Sequence, residues 1–230
     1  MKKLSLYIGI AVLLVTGASC QKDYRIDGGK SQAFVNMTTY DYLKSNPIFD
    51  SLVRVIDHAG LKDEVNNSKT FFATTNYSAV GYVSAKRTKK IAELGDENID
   101  FGIDDIPVAE IRDSLKLYMF DQEITRYNLT QDGDFYINKL PVQNDTVRYH
   151  IYLNRQFPYS SYLDYVEYVR FIQVIGELDR KRPANSPVQP SHQNDTDVLV
   201  QTSGIITTTG VIHVLSNTHR LMFNRENTGG

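Results

Sequence analysis

The chain has 230 residues, of which 41% are hydrophobic and 23% charged, a composition ordinary for a globular protein of one large domain. The formal net charge is −2, and removing Lys2 and Lys3 with a leader leaves 23 basic against 27 acidic residues, or −4. This balance gives no basic footprint for nucleic acid, so we expect no nucleic-acid partner. Cys20 is the one cysteine, which excludes an internal disulfide and, elsewhere in the chain, thiolate catalysis or a cysteine-based metal site.

The first 19 residues have the layout of a secretory signal peptide. A basic start with two lysines precedes an apolar run over residues 4–15, and small residues then lead into Cys20. The alternative is a membrane-anchoring helix, but such a helix takes about 20 apolar residues and this run is shorter. We therefore predict that residues 1–19 are removed from the mature protein.

The residues around the cysteine resemble a known processing site. Ala18-Ser19-Cys20 resembles the lipobox of bacterial lipoproteins, with Gly17 in place of the usual leucine. The resemblance implies cleavage before Cys20 and acylation of its sulfur and new amino group, and several acyl chains give a lasting membrane anchor. Gln21-Lys22-Asp23 resembles the charged signal by which some Gram-negative lipoproteins reach the cell surface. We therefore expect residues 20–35 to be a lipidated tether, with the protein in the outer membrane and facing the cell exterior.

Short helices are predicted at the start of the domain. Thr39 is positioned to cap a helix over Tyr40–Lys44, and Pro47 suits the first turn of a second helix. Apolar residues follow helical spacing in this second helix, and Gly60 ends it; they are Ile48, Phe49, Leu52, Val53 and Ile56. His58, near its end, is interpreted as a solvated or capping histidine.

The stretch Lys69–Val80 predicts a buried strand that runs directly into a helix. Its first half is β-branched and aromatic, which is typical of a buried strand. Thr74, Thr75 and Asn76 then offer side-chain oxygens that can cap the unpaired first N–H groups of the helix. Further along this helix, the basic run Lys86–Lys90 is either a phosphate or nucleic-acid patch or, as we prefer, a solvated helix face beside an acidic stretch.

Another helix and then β-rich sequence follow. The helix is predicted over Ile106–Phe120, with Pro107 at its first position. Asp132-Gly133-Asp134 supplies a turn, and the last β region covers Val198–Leu215. The run Val147–Asn154 alternates, which predicts a half-buried strand whose outward side chains are Arg148, His150, Tyr152 and Asn154.

Four tyrosines between these β regions are the candidate binding residues: Tyr159, Tyr162, Tyr165 and Tyr168. Tyrosine offers a flat apolar face and a polar tip, which suits stacking on sugars or packing against a protein partner. The alternative, which we favour, is that Tyr165–Ile175 forms a strand whose rings cover the core. Residues 180–195 are rich in Pro, Ser and Asn, so they are predicted to be an exposed loop with a solvated His192.

Several stretches resemble the fasciclin domain, an adhesion module. Ile48–Leu52 matches the phenylalanine and leucine pair of its opening helices. Thr70–Val80 resembles its strand and helix start, Thr-Val-Phe-Ala-Pro-Thr-Asn-x-Ala-Phe, with Thr74 replacing the proline. Tyr118 matches the tyrosine of its Tyr-His motif, with methionine in place of the histidine. Thr209–Ser216 resembles its closing motif, Asn-Gly-Val-Ile-His-Val-Ile-Asp, with substitutions at both ends.

The resemblance implies an α+β fold with one fasciclin-like domain over residues 36–223. Its core would be a wedge-shaped β-sandwich or sheet with helices packed around it. Residues 156–195 exceed the usual connection and are expected to be a Tyr-rich insertion, and residues 224–230 a polar tail. The implied function is a noncatalytic binding or adhesion module for a protein or glycan ligand, without catalytic residues, metal or cofactor.

Two further functions compete with this one. An accessory subunit of an outer-membrane transporter complex for glycan or peptide uptake would use the export-like signal and the tyrosines. A hydrolase is disfavoured, because carboxylates such as Asp104, Asp105 and Glu167 lack the spacing of any catalytic motif. His213 and His219 could join a metal site only with a third ligand that the sequence does not offer. His213, between apolar strand residues, is therefore interpreted as a structural histidine.

Overall fold

Five α-helices and seven β-strands are found in the residues that the computed structural model describes, 34–140, 147–158, 161–190 and 193–221. The helices are α1 Thr39–Ser45, α2 Asp50–Ala59, α3 Lys62–Asn66, α4 Asn76–Leu94 and α5 Val108–Lys116. The strands are β1 Thr70–Ala73, β2 Met119–Phe120, β3 Asp134–Tyr136, β4 Val147–Gln156, β5 Val166–Ile175, β6 Thr196–Ile206 and β7 Val211–Leu215. Cys20, Tyr159, His192 and the predicted tail 224–230 lie outside the described residues.

The seven strands form one mixed sheet in the order β2-β1-β7-β6-β5-β4-β3. β1 and β7 pair in parallel, with Phe72 opposite His213, and the other neighbouring strands pair antiparallel. β6 changes partner along its length, because its first residues pair with β5 and its later residues with β7. Helices combined with this sheet give the predicted α+β class.

The two outer strands of the sheet nearly meet, so the sheet closes almost into a barrel. Phe120 of β2 forms an antiparallel bridge with Asn138, just after β3. The N–H of Lys139 donates to the carbonyl of Met119 over 2.8 Å. The helix predicted to run to Phe120 therefore ends at Lys116, because the residues that follow pair with β1 instead.

A column of four aromatic rings fills the inside of the barrel. The rings of His213, Phe72, Phe171 and Tyr149 stack in that order, with centroid separations of 4.9, 4.3 and 5.2 Å. Phe120 stands edge-on to the three carbocyclic rings. Each ring of the column comes from a different strand. Each lies on the inward face of its strand, where side chains recur at every second residue. The buried strand predicted from Lys69 onward is thus confirmed as β1, at the centre of the core.

The first helices follow the predicted order with shifted details. α2 ends at Gly60, as predicted, because Gly60 has φ 64° and its N–H bonds to carbonyls of the last turn. Ile48 is about half exposed, although its spacing predicted an inward position, since Pro47–Phe49 form a 3-10 turn outside α2. α1 begins at Thr39, and Thr38 caps it in place of Thr39.

The polar residues after β1 connect distant elements instead of capping α4. Thr75 occupies the N-cap position, but its hydroxyl donates to Oδ1 of Asn217 over 2.8 Å and makes no capping bond. The side chain of Asn76 accepts from the N–H of Ser51 and donates to the carbonyl of Pro47. The prediction that these side chains cap the helix is wrong: Thr75 and Asn76 bond to residues that are close only in the folded chain, and the hydroxyl of Thr74 is buried with no hydrogen-bond partner among the described residues.

His58 also differs from its interpretation as a solvated or capping histidine. Its Nε2 lies 3.0 Å from the carbonyl oxygen of Ile106, and its Nδ1 lies 3.7 Å from Oδ1 of Asp104. The side chain therefore connects the end of α2 to the residues that precede α5.

β4 is buried on both faces at its middle, so the prediction of a half-buried strand is wrong there, although Arg148 on the outward face is exposed as predicted. Its odd-numbered residues from Tyr149 to Leu153 face the core, but His150 and Tyr152 on the other face are buried as well. Arg180, beyond β5, lies over the Tyr152 ring at 3.8 Å from its centroid. A second apolar cluster covers this outer face and comprises Tyr152, Ile172, Val174 and Leu178. The residues that pack on this outer face come later in the chain, so the alternation within β4 cannot reveal that the face is buried.

The described residues belong to one compact unit with a continuous apolar core. Helices and strands both contribute fully buried large side chains to this core, among them Phe49, Leu52, Phe71, Phe72, Ile111, Tyr118 and Phe120. None of the helices within the described ranges is both long enough and apolar enough to cross a bilayer.

Candidate binding surface at one end of the barrel

The register of β4, β5 and β6 brings several chain segments to one end of the barrel. β4 ends at Gln156, opposite the start of β5 at Val166. β5 runs antiparallel to β6, with Arg170 opposite Leu199, so the start of β5 lies at the same end as Ile206, where β6 finishes. The loop between β4 and β5, which carries most of the predicted binding tyrosines, therefore projects from this end.

Large exposed side chains cover this loop and the turn beside it. We term this surface the aromatic end and define it by Tyr127, Phe157, Tyr162, Leu163 and Tyr165. Tyr162 is 89% exposed, and Tyr127, in the turn that follows Ile124, is 96% exposed. Single exposed apolar residues are common on proteins, but a group of them at one place is typical of a contact surface.

A network of charged side chains connects the turn and the hairpin that form the aromatic end. Nε and Nη2 of Arg155 lie 3.0 and 2.8 Å from Oε1 of Glu167, opposite it on β5. Nη1 of Arg126 donates to the main-chain carbonyl of Glu167 over 2.7 Å, and its Nη2 lies 3.6 Å from Oε2. The Glu167 side chain is only 14% exposed. Bonds between ionised groups are stronger than neutral ones, so this network holds the turn and the hairpin together.

The ring of Tyr165 rests on this charged network. The guanidinium carbon of Arg155 lies 3.8 Å from the ring centroid, within the range of a cation–π interaction. Tyr165 nevertheless remains 44% exposed. One part of the ring is therefore held by Arg155 while the remainder is available for contact.

The structure separates the predicted tyrosines. The predicted strand Tyr165–Ile175 is confirmed as β5, and within it Phe171 is fully buried in the core. Tyr168 is half-buried on β5, opposite Asn154. Tyr165, just before the strand, is exposed, so the interpretation that its ring covers the core is wrong, and Tyr162 in the loop is also exposed. Tyr159 lies outside the described residues, and a binding role for the tyrosines stays a prediction.

Sequence reasoning missed the side chains that support the aromatic end. Arg155 and Glu167 flank the loop, and their pairing follows from the hairpin register, which the sequence did not define. Arg126 and Tyr127 come from a turn that was not assigned to any site. The available signal was the spacing of the tyrosines: three residues apart, they cannot all lie on one face of a strand with a two-residue period.

The basic run on α4 is largely paired within the fold. Nζ of Lys86 lies 2.6 Å from Oε1 of Glu110, and Arg87 donates to two carbonyls of the following acidic stretch. Burial would raise the pKa of Glu110, but hydrogen bonds from Lys86 and Tyr82 outweigh it and lower the pKa below its usual value. These contacts favour a structural role for the run over a phosphate patch.

Two buried histidines have structural contacts. Nε2 of His213 lies 2.8 Å from the carbonyl oxygen of Ile124, in agreement with its interpretation as a structural histidine. Nε2 of His219 lies 2.8 Å from the hydroxyl oxygen of Tyr118. Burial lowers the pKa of His213 to about 4 and that of His219 to about 3. Both imidazoles are therefore neutral near pH 7.

Other surface features do not gather the predicted site residues. A groove of about 470 Å³ lies between α4 and Arg220, with small side chains of the helix as its floor. Within the part of the chain that the structure describes, no group of three or more His, Cys, Asp or Glu residues is placed to hold a metal ion. The chain matches none of the protein-family models against which it was compared, and no curated protein is significantly similar to it.

Proposed function

We propose that the protein is a bacterial outer-membrane lipoprotein whose folded domain is a noncatalytic, fasciclin-like binding or adhesion module. In this proposal the acyl chains on Cys20 hold the protein at the cell exterior, and the aromatic end is its contact surface. The observation that carries the proposal is the group of exposed aromatic side chains at this end, of which Tyr165 is held by Arg155. A ring that is already held in place loses little conformational freedom on binding, which favours its use as a contact residue.

The fasciclin assignment is supported by how its two most specific motifs meet. The strand of the first motif, Thr70–Ala73, is β1, and the strand of the closing motif, Val211–Leu215, is β7. The two are parallel neighbours, and the rings of Phe72 and His213 stack. A shared core is what a single domain built from both motifs requires. Within this assignment, residues 156–195 remain the Tyr-rich insertion, and they contribute β5.

Anchoring is tested with Cys20→Ser in the native cell. The variant should lose metabolically incorporated fatty acid and, with it, the lasting hold on the membrane that several acyl chains give, so a salt and dilution wash should release it more readily than the parent. Protease treatment of intact cells should digest the parent protein if it faces the exterior. A Cys20→Ser protein that stays as firmly in the membrane fraction as the parent would contradict the anchor.

Contact by the aromatic end is tested with the mature domain against arrays of glycans and proteins. Tyr162→Ser should weaken any specific binding by about tenfold or more, since truncating an exposed aromatic anchor costs about 1–2 kcal/mol at a contact surface. Tyr77→Ser is the matched control, because Tyr77 is an exposed tyrosine on α4, outside the aromatic end. Equal binding by the two variants would contradict this choice of surface.

An alternative is an accessory subunit of an outer-membrane nutrient-uptake complex. The feature that favours it is Gln21-Lys22-Asp23 beside the lipidation site, together with exposed tyrosines that suit a glycan or a transporter loop. Purification of the native protein in mild detergent separates the two functions. A stable transporter complex supports the alternative, and a partner-free monomer supports the self-contained adhesion module.

A further inference from the structure

The chain joins the barrel beside the aromatic end. Phe34 forms a parallel bridge with Ile206, and the N–H of Val35 donates to the carbonyl of Ile206 over 2.8 Å. At this position the other edge of β6 is occupied by Val211 of β7. Phe34 therefore lies on the edge of β6 opposite β7, at the end of the barrel where β5 begins. The segment that leads from Cys20 thus arrives at the end that carries the exposed rings.

Residues at this junction extend the apolar surface. Phe34 is 56% exposed and Met37 45%, and Ile206 lies partly exposed beside them. Met37 is held at this end because its carbonyl accepts from the N–H of Thr208. The junction residues and the aromatic end together place aromatic, methionine and aliphatic side chains at one end of the barrel.

The charges on this surface are nearly balanced. Arg126 and Arg155 face Glu167 within the ion network, and Asp164 is exposed in the loop. These four charges sum to zero, and the exposed Glu123 in the turn beside them adds one negative charge, so the surface has no excess of positive charge to attract an anionic partner. Tyrosine and phenylalanine with arginine stems beneath them are instead the side chains that favour the interface between lipid headgroups and acyl chains.

The position of the proposed anchor at Cys20 also favours a lipid surface as the partner. Cys20 precedes Phe34 by 14 residues, which span at most about 50 Å when fully extended. The opposite end of the barrel lies a further strand length away, about 30 Å for the ten residues of β5. The aromatic end is thus the nearer of the two ends along the chain to the acylated residue, and a domain tethered within this reach meets the bilayer at high effective concentration, so weak insertion suffices.

We propose that the aromatic end and the junction residues Phe34, Met37 and Ile206 rest on the lipid surface of the anchoring membrane. The proposal rests on the lipoprotein function and names the partner of its contact surface. Contact is apolar, with rings inserted among the headgroups, and it orients the barrel with the far ends of β5 and β6 away from the membrane.

Depth-dependent fluorescence tests the orientation on the acylated full-length mature protein in phosphatidylcholine vesicles. Since the chain has one cysteine and Cys20 is acylated, Tyr162→Cys and Val188→Cys each provide a single site for a fluorescent label. Val188 is almost fully exposed and lies between the far ends of β5 and β6. Brominated acyl chains should quench the label at position 162 several-fold more than the label at position 188. Equal quenching at the two positions would overturn the proposal.

Vesicle partitioning tests the contact without the anchor. The mature chain with Cys20→Ser should co-sediment with phosphatidylcholine vesicles, and adding Phe157→Ser and Tyr162→Ser should lower its partition coefficient about tenfold. Tyr77→Ser in the same background is the control and should leave partitioning unchanged. Added anionic lipid should have little effect, because the surface has no excess of positive charge.

The outcomes separate this inference from the lipoprotein function. Loss of fatty-acid incorporation in Cys20→Ser concerns the anchor, whereas vesicle partitioning of the purified chain concerns the surface. If the vesicle assays show no dependence on residues 157 and 162 while a protein from detergent extracts is lost with Tyr162→Ser, the surface binds a protein and the lipid proposal is overturned.

Discussion

The rings of Phe72 in β1 and Phe171 in β5 stack with centroids 4.3 Å apart and planes inclined by 19°. The two strands are not neighbours, since β7 and β6 lie between them in the sheet. Their contact therefore crosses the inside of the barrel. It joins one of the strands predicted from the fasciclin-like motifs to the strand that follows the Tyr-rich loop, so both regions depend on one core.

Truncating this contact should destabilise the whole domain. Phe171→Ala is expected to lower the free energy of unfolding by about 3–5 kcal/mol, because it removes a fully buried ring and leaves a cavity. Phe157→Ala, at an exposed ring, should change it by about 0.5 kcal/mol or less. Urea denaturation followed by circular dichroism measures both. Similar losses for the two variants would contradict the assignment of Phe171 to the core.

Stability should depend on pH through His213 and His219. Their pKa values in the folded state lie near 4 and 3, below the ordinary value near 6.5 that applies to the unfolded chain. The unfolded state therefore takes up protons first. Their contribution is complete above about pH 6.5 and is lost as the pH falls toward about 4 and 3, by up to about 1.4 kcal/mol per pH unit for each histidine.

The variant that checks this dependence is His213→Phe, which keeps a ring against Phe72 but does not titrate. Urea denaturation at several pH values between 7.5 and 4.5 should show a shallower fall in unfolding free energy for the variant than for the parent. Comparing the slopes removes the contribution of carboxylates, which the two proteins share. Identical slopes would show that His213 is not a neutral buried group.

The network beneath the aromatic end should contribute to stability. Glu167→Gln is expected to lower the free energy of unfolding by about 2 kcal/mol, because it leaves Arg155 and Arg126 without their carboxylate. Glu177→Gln is the matched control, since Glu177 is largely exposed and its contact with Arg182 is long, at 4.0 Å. Thermal and urea denaturation measure both changes. A loss no larger than that of the control would mean that the network is fully screened by solvent.

A close backbone approach explains the glycine of the closing motif. A Cβ added at Gly210 would lie 2.5 Å from the carbonyl oxygen of Ser68 and 2.8 Å from that of Lys69. Gly210→Ala should therefore lower the free energy of unfolding by at least about 2 kcal/mol through displaced backbone. At Gly102 the nearest atom would be 4.0 Å away, so Gly102→Ala should be tolerated. Equal stability of the two variants in urea would contradict the close approach.

Local sequence patterns predicted the positions of helices and strands better than they predicted which residues pack against them. The strand before α4, the end of α2 at Gly60 and the last β region follow from residues adjacent in sequence. Burial of His150 and Tyr152 could not be predicted, because their cover lies beyond β5. The hydrogen bonds of Thr75 and Asn76 were misassigned for the same reason: the competing partners are distant in sequence.

The candidate site was predicted only in part. The tyrosine-rich composition pointed to the loop after β4, but the exposed rings could be separated from the buried one only with the hairpin register, which pairs Arg155 with Glu167. The position of Phe34 against Ile206 follows from tertiary pairing and has no signal within either segment. That pairing relates Phe34, near the end of the predicted tether, to the aromatic end.

The parallel pairing of β1 with β7 has a consequence for the order of assembly. β1 can pair with β7 only after residues 211–215 have been synthesised. The core therefore stays incomplete until more than 200 residues of the chain are available for folding. A polypeptide secreted through a narrow channel must remain unfolded during passage. For a chain exported as we propose, a central strand whose parallel partner is so late in the sequence would leave the core incomplete during most of the passage of the segment between them.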